Sequence, residues 1–430
     1  MKTAIYWFRY DLRLHDNLGW TQLVESHDAA VGIFVLPQNW FLPGRYQSKG
    51  IELFRLKFLL ESLQDLRTQL RSLGSELLVL NGDPATEIAA WAERLQAHAI
   101  FVGEHPGSEE RDGVALAKRK FDIPVIEIEN FTLFNRAELP FDLQDLPSIF
   151  SQFRKRVEQQ ALTPTLPTAP RPRQQFLALA ESPCELDKWC ANLAVQFSLK
   201  PHHPHSLPFS GGSTAGSRQL NYFLQETGHI SSYKETRNQL DGWDFSSKLS
   251  PWLAFGCLSA RQVAEAIHHY ESTVQANEST YWLYFELLWR EYFQWLAFRY
   301  GKQMFALKGI QNKDPQLNAP SQRFTDWCQG NTKSAFVNAF MRQLLLTGWM
   351  SNRGRQIVAS YLINELGVDW RYGAAWFEQQ LVDYDLASNW GNWQYLAGVG
   401  TDPRGRRHFN IEKQRETYDP DYAFIERWTE

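Results

Sequence analysis

The stretch "LVDYDLASNWGNWQY", residues 381–395, sets two acids (Asp383 and Asp385), two asparagines (Asn389 and Asn392) and two tryptophans (Trp390 and Trp393) within fifteen positions. One reading is a plain core loop, because tryptophan is usually mostly buried and a Gly-Asn pair often marks a turn. The other is the wall of a polar site, where carboxylates and amides are kept for what they touch. The surrounding sequence decides which fold carries this stretch.

Working outward, the neighbouring segments are helical. "STAGSRQLNYFLQETG", "SARQVAEAIHHYES", "TYWLYFELLWREYFQWLAFRYG", "SAFVNAFMRQLLLTG", "NRGRQIVASYLINELG" and "RYGAAWFEQQLVDYD" repeat apolar residues at helical spacing. Several start at Ser or Thr and stop at Gly. Strand signals vanish after about residue 214, which predicts an all-helical domain over 211–430. Eleven of the 17 tryptophans fall between Trp243 and Trp393, so the aromatic excess belongs mostly to this half.

The first 130 residues read differently. "TAIYWF", "AAVGIFVL", "ELLVLNG", "AIFVGE" and "PVIEIEN" are short β-branched or apolar runs, alternating with amphipathic stretches near 48–72, 84–97 and 108–121. That alternation predicts a doubly wound parallel sheet with helices on both faces. No GxGxxG follows the first strand, so a dinucleotide site of the Rossmann kind is not indicated there. Residues 131–210, with "TPTLPTAPRPRQQ" and "KPHHPHSLPFSGG", read as an interdomain connector draped over the surface. His202, His203 and His205 lack further ligands at recognisable spacing and read as loop; no metal site is expected.

A length of 430 residues calls for two domains or more. The net charge of −4 argues against indiscriminate binding to a polyanion. Residues 1–130 hold 14 Lys and Arg against 18 Asp and Glu, leaving 30 against 30 elsewhere. Any nucleic-acid surface must therefore be local, and "DPRGRRHFNIEKQR" (402–415) is one candidate. The four cysteines form no CxxC pair, the N-terminus carries early charges, and no run approaches the ~18 apolar residues of a membrane span. A cytoplasmic protein without membrane attachment is expected.

Three constellations suggest chemistry. Glu286, Trp289, Arg290 and Phe293 fall at i, i+3, i+4 and i+7 on one helix face. An exposed Glu-Arg pair there would be worth only about 0.2–0.5 kcal/mol. That helix is apolar almost all round, however, so its ions are expected to line an internal cavity. "DFSSKLSPWLAFGCLS" places hydroxyls and a lysine at a helix entrance, as suits a phosphate or pyrophosphate. "TGWMSNRGRQ" supplies Asn352, Arg353 and Arg355, the last a partner for Asp383.

These motifs, with "WFRYDLRLHDN", "LPSIFSQFRKRVE" and "DWRYGAAWFEQQLVDYDLASNWGNWQYLAGVGTDPR", resemble the photolyase/cryptochrome flavoproteins, most closely the cryptochrome DASH branch. The resemblance implies an α/β antenna-binding domain followed by an all-α domain holding FAD. It implies FAD contacts from Tyr233, Ser246, Ser247, Lys248, Leu249, Ser250, Glu286, Arg290, Asn352, Arg355, Asp383, Asp385 and Asn389, with Asn389 facing flavin N5. Trp393 and Trp370 resemble the inner and middle members of an electron relay. The outer position falls on Leu317, so a different aromatic such as Trp327 would have to substitute.

Trp289 and Tyr395, with Glu286, resemble the lining of a pocket for a cyclobutane pyrimidine dimer flipped out of DNA, and together with Asn389 they are the implied catalytic set. Flat walls for stacking and one polar group for the base edge are what a flipped base needs. Tyr395 stands where other dimer photolyases have Trp, which implies single-stranded or distorted DNA as substrate. Arg342, Arg404, Arg406 and Arg407 are the expected phosphate contacts. Glu109 or Glu110 is expected to contact a 5,10-methenyltetrahydrofolate antenna, and the protein is expected to act as a monomer. The competing reading is a blue-light photoreceptor signalling to a protein or DNA partner; the short segment after "DPDYAFIERW" and the Glu286, Trp289, Asn389 set favour repair.

Overall fold

The computed structural model describes residues 2–160, 185–198, 208–402 and 404–429. Five parallel strands, β1 (Thr3–Trp7), β2 (Ala29–Pro37), β3 (Leu77–Gly82), β4 (Ala99–Gly103) and β5 (Val125–Ile128), form one sheet in the order β3-β2-β1-β4-β5. Their alternate residues pack on opposite faces. Tyr6 and Phe34 join Trp20, Leu23, Leu59 and Leu63 of helices α1 (Leu18–Ser26) and α2 (Leu53–Ser72). Ile5, Trp7 and Ile33 instead join Ile88, Trp91 and Val114 of α3 (Pro84–Arg94) and α4 (Ser108–Lys120). Burial on both faces is why these strands read as nearly continuous apolar runs.

Two details depart from the sequence reading. Helix α1 carries no strong periodic signal, yet Asn17 caps it by accepting the Trp20 N–H at 3.0 Å. Helix α2 begins at Leu53 rather than near 48, because Gly50 is held in a turn, its N–H on the Trp40 carbonyl at 2.9 Å.

The connector is not merely draped over the surface. Leu133, Phe134, Phe150, Phe153 and Val157 are buried, and the helix Phe150–Gln159 exists because its apolar residues recur at i, i+3 and i+7. A second helix, Leu186–Ser198, rests on the sheet domain through Phe41–Trp189 and Phe54–Phe197 ring contacts. The three connector histidines lie outside the described residues.

Beyond Ile128 no strand occurs among the described residues, only an isolated bridge between Asn318 and Val368. The central helix Glu278–Tyr300 starts at Asn277, whose side chain accepts from Ser279 and Thr280 N–H, and stops at Gly301. Around it stand Ala335–Thr347, Asn352–Asn364, Trp370–Gln380 and Leu386–Ala397. The tryptophan-rich stretch is therefore helical rather than a loop: Asp385 caps it by accepting the Ser388 N–H at 2.8 Å. Gly391 marks no turn; a Cβ there would overlap the Phe293 ring, so the glycine lets this helix press onto the central one. No helix among the described residues is long and apolar enough to cross a membrane.

Buried polar groups join the halves. Arg13 donates to the Gly256 carbonyl at 2.9 Å and the Asn130 carbonyl at 2.8 Å, and Arg261 pairs with Asp16 at 3.0 Å. Glu291, fully buried on the central helix, accepts from Leu133 N at 2.7 Å, Phe134 N at 3.2 Å and Trp295 Nε1 at 2.6 Å. All three partners are donors, so an amide at this position turns one acceptor against a donor. Glu291→Gln is expected to destabilise the protein by about 2–3 kcal/mol, read as a lower denaturant midpoint at unchanged slope; an unshifted midpoint contradicts the clamp.

Candidate functional site

A cavity of about 300 Å³ opens between the Tyr233–Ser250 segments, the central helix, Asn352–Asn364 and the start of Leu386–Ala397. Tyr233, Ser246, Ser247, Lys248, Leu249, Ser250, Glu286, Arg290, Asn352, Arg355, Asp383 and Asp385 all line it. Asn389 and Trp393 line an adjoining space of about 110 Å³ that shares Asn352, Arg355, Asp383 and Asp385. Thus the fold brings the cofactor-contact positions anticipated from sequence to two adjoining cavities with a shared wall.

Its charges are arranged rather than scattered. Arg355 Nη2 lies 2.9 and 2.8 Å from the two oxygens of Asp383, and Ser250 Oγ donates to Asp383 at 2.7 Å. Asp385 accepts from Gln294 Nε2 at 2.9 Å and lies 3.7 Å from Arg290. Glu286 does not pair with Arg290, as helical spacing suggested. Arg237 reaches it instead, at 2.7 Å, and Trp282 Nε1 donates at 3.2 Å. Arg290 turns aside because its guanidinium lies over the Phe131 ring at 4.5 Å and donates to the Phe131 carbonyl at 3.1 Å. Burial raises the Glu286 carboxyl above its ordinary value despite Arg237.

Four cations (Arg237, Lys248, Arg290, Arg355) face three carboxylates (Glu286, Asp383, Asp385) in the cavity wall. The Arg290 Nε is buried without a partner. Lys248 is buried too, its side-chain hydrogen bond going to Ser246 Oγ at 2.9 Å and its ammonium packed on Phe245 and Trp349. Its φ of +56° is a left-handed conformation that a non-glycine residue holds only when the surroundings enforce it. Burial drives its ammonium well below the ordinary lysine range. A lysine whose charged form burial disfavours, set among hydroxyls, suits a pyrophosphate, whose negative charge would favour the ammonium again. Farther along, Asn389 Nδ2 donates to the Ala374 carbonyl at 3.0 Å, which fixes the amide plane at the wall of the second space.

Sequence reasoning missed Arg237, Gln294 and Trp349. Arg237 in "KETRNQ" looks like any exposed helical arginine, so nothing local betrays it. Gln294 did leave a signal: it is an amide inside an almost apolar helix, eight residues after Glu286.

Trp289 lines the cavity with one face covered by Phe150, centroids 3.7 Å apart and nearly parallel, and Phe293 at 5.6 Å. Tyr395 meets it edge-on at 6.4 Å, its hydroxyl receiving Arg407 Nη2 at 2.7 Å. The four expected phosphate-contact arginines are not a free cluster. Arg407 is clamped by Asp402, Arg406 donates to the Ile363 carbonyl and Arg342 to the Thr429 carbonyl at 3.4 Å, while Arg404 is exposed. Trp370 is fully buried, its indole donating to the Leu307 carbonyl at 3.1 Å. The Trp393 ring sits on Gly373, where a Cβ would overlap it. Glu109 and Glu110 line an interdomain cavity of about 500 Å³ and also a hollow at the C-terminal edge of the sheet.

Residues 4–173 match the family model described as DNA photolyase, and residues 282–430 that of the FAD binding domain of DNA photolyase. A cryptochrome DASH from Idiomarina loihiensis is 45% identical, spanning 99% of this chain and 92% of that one. One from Danio rerio is 40% identical over 99% of this chain and 83% of its own. The crystal structure of the Synechocystis sp. cryptochrome superposes with a TM-score of 0.90 at 38% identity, covering 100% of this chain and 88% of that one. A class III photolyase from Agrobacterium tumefaciens gives 0.84 at 26%, over 100% and 86%. With a cation-rich hollow suited to a bent dinucleotide and relatives matching along nearly its whole length, this chain belongs to the photolyase/cryptochrome family, on its cryptochrome DASH branch, and its helical half is an FAD-binding domain.

Proposed function

We propose that the protein is a light-driven lyase that splits cyclobutane pyrimidine dimers in single-stranded or distorted DNA, acting as a monomer. The observation that carries this reading is the position of Trp289: only partly buried, it lines the same cavity as the FAD-contact residues, with Tyr395 edge-on beside it. When bound and reduced, FAD supplies one electron on excitation and accepts it back once the ring has opened. The chain's own task is to hold the two reactants together and dry.

Arg355, Asp383 and Ser250 form one rigid unit, and Asp385 is fixed by the Ser388 N–H and Gln294, so the polar edge of the cavity is preset before anything binds. Asn389, anchored on Ala374, leaves its carbonyl oxygen as the acceptor for a ring N–H. Phe150 and Phe293 hold the Trp289 plane, which offers a flat wall to an extruded base; Glu286, raised by burial and one turn earlier, is the polar group for the base edge. Extrusion costs least from a single strand, and Tyr395 offers less stacking area than an indole. Of the arginines, Arg404 is left to meet DNA phosphates. The buried thiols of Cys257 and Cys328 suit a reducing cytoplasm.

We also assign the interdomain cavity to a 5,10-methenyltetrahydrofolate antenna. Glu109 and Glu110 both line it, and Glu110, whose Oε2 lies 3.7 Å from His105 Nδ1, is held ionised by that neighbour, which suits an acceptor for a pterin N–H. Arg45 and Lys49 in the same wall suit the carboxylates of a folate tail.

Illuminated, reduced protein is expected to restore pyrimidines in dimer-containing single strands faster than in duplex. No turnover on either substrate would return the protein to the photoreceptor reading. Trp289→Ala is expected to weaken binding of the damaged strand by about 1–3 kcal/mol, measured by fluorescence anisotropy with FAD content held equal. For the antenna, Glu110→Ala is expected to abolish folate retention, seen as loss of the added near-ultraviolet band. Burial pushes Glu378, in the same cavity, up to about 7. Its ionisation adds a negative charge, so affinity for the anionic folate should fall as pH rises through 7; a pH-independent dissociation constant would contradict this.

A further inference from the structure

The position where an outer relay tryptophan is expected holds Leu317, half-buried against the helical core. Trp327 does touch Trp393, at 6.4 Å, but it is fully buried and its indole donates to the Val358 carbonyl at 3.1 Å. It offers no exit to water. A different line of rings does reach an open space. The Trp393 ring rests on Gly373, one turn past Trp370. Trp370 meets Trp390 at 5.6 Å, and Trp390 meets Tyr46 at 6.1 Å. Trp390 and half-buried Tyr46 both line the interdomain cavity, whereas Trp393 lines the space that adjoins the flavin pocket.

Resting on the light-driven flavin reading above, we propose that Tyr46 is the terminal electron donor of this protein, fed through Trp370 and Trp390 in place of residue 317. Trp393 gives one electron to the excited, oxidised flavin, and the vacancy moves outward by single-electron hops until Tyr46 fills it. Tyr46 then loses one electron and releases its phenolic proton to water in the cavity, ending as a neutral radical. A thiol in solution returns one electron and one proton. In the outward step only the O–H bond of Tyr46 breaks; on return that bond re-forms and the S–H bond of the thiol breaks, leaving a thiyl radical that couples with a second to a disulfide.

Chemistry at Tyr46 favours this end point. Arg371 and Arg45 lie 5.5 and 5.8 Å from its ring centroid. Both cations oppose a positive charge on the ring, so oxidation must be accompanied by proton loss, and the adjoining cavity gives the proton somewhere to go. At Trp390 the indole N–H is engaged by Tyr384 at 3.1 Å in a buried setting, which offers no such outlet.

The test uses FAD-loaded, folate-free protein with oxidised flavin, flashed with blue light and followed by transient absorption and electron paramagnetic resonance, with and without ring-deuterated tyrosine. Wild type is expected to show a long-lived radical whose spectrum narrows on tyrosine deuteration. Tyr46→Phe and Trp390→Phe are expected to abolish that signal and shorten the charge-separated state at least tenfold, while Tyr372→Phe, whose ring only abuts Tyr46, keeps it. A tryptophan-type signal in wild type, or an unchanged tyrosyl signal in Tyr46→Phe, overturns the proposal. Trp393→Phe should abolish flavin photoreduction, and photoreduction that survives there also overturns the relay; failure of the underlying light-driven reading is distinguished by the absence of dimer turnover in chemically reduced, illuminated wild type. Retained flavin absorbance in every variant verifies folding.

Discussion

The helix Leu386–Ala397 lies against the central helix at Gly391, where the Phe293 ring fills the space a Cβ would need. From that contact follows the depth at which Asp385, Asn389 and Trp393 stand relative to Glu286, Trp289 and Arg290. One helix contributes carboxylate cap, amide and indole on successive turns; the other contributes the opposing acid, ring and guanidinium. A wider spacing would leave the same residues exposed to water and their electrostatics diluted. The aromatic excess of the chain serves the same end, since rigid rings hold a hollow open without filling it.

Maintaining that hollow places charge where charge is unfavourable. A buried lysine in a left-handed conformation, an arginine with an orphaned Nε and a carboxyl raised by burial are each destabilising alone. They persist because the sheet domain, the connector and the outer helices over-determine the frame, through Arg13, the Asp16–Arg261 pair and the three donors on Glu291. An anionic cofactor relieves part of this imbalance.

Much of this was legible beforehand. The sheet could be read because parallel strands buried on both faces are nearly unbroken in Val, Ile, Leu and Ala, and several large helices because Ser259 and Ser334 cap them and Gly301 and Gly348 end them, whereas the helix that Asp385 caps was not. The wall-forming acids and hydroxyls were found through long ordered motifs rather than through periodicity. What stayed hidden depends on long-range partners. Nothing near Arg237 predicts that it, and not Arg290, would hold Glu286, since Arg290 is diverted by a carbonyl and a ring over 150 residues earlier in the chain. Gly391 was misleading in a different way: the residue type suits a turn and a close helix crossing equally well. The connector was mistaken for surface because its proline-rich part obscured the i, i+3, i+7 pattern of Phe150, Phe153 and Val157.

The interdomain cavity draws its wall from both halves of the chain, Trp40, Lys49 and Glu110 on one side and Phe305, Glu378 and Trp390 on the other. It exists only while the halves stay docked. Any molecule seated there is therefore thermodynamically linked to docking, and raises apparent thermal stability by RT ln(1 + [L]/Kd) even though it plays no part in the chemistry next door. Pigment occupancy would then act as a molecular glue, and a melting curve would register light-harvesting capacity in the dark.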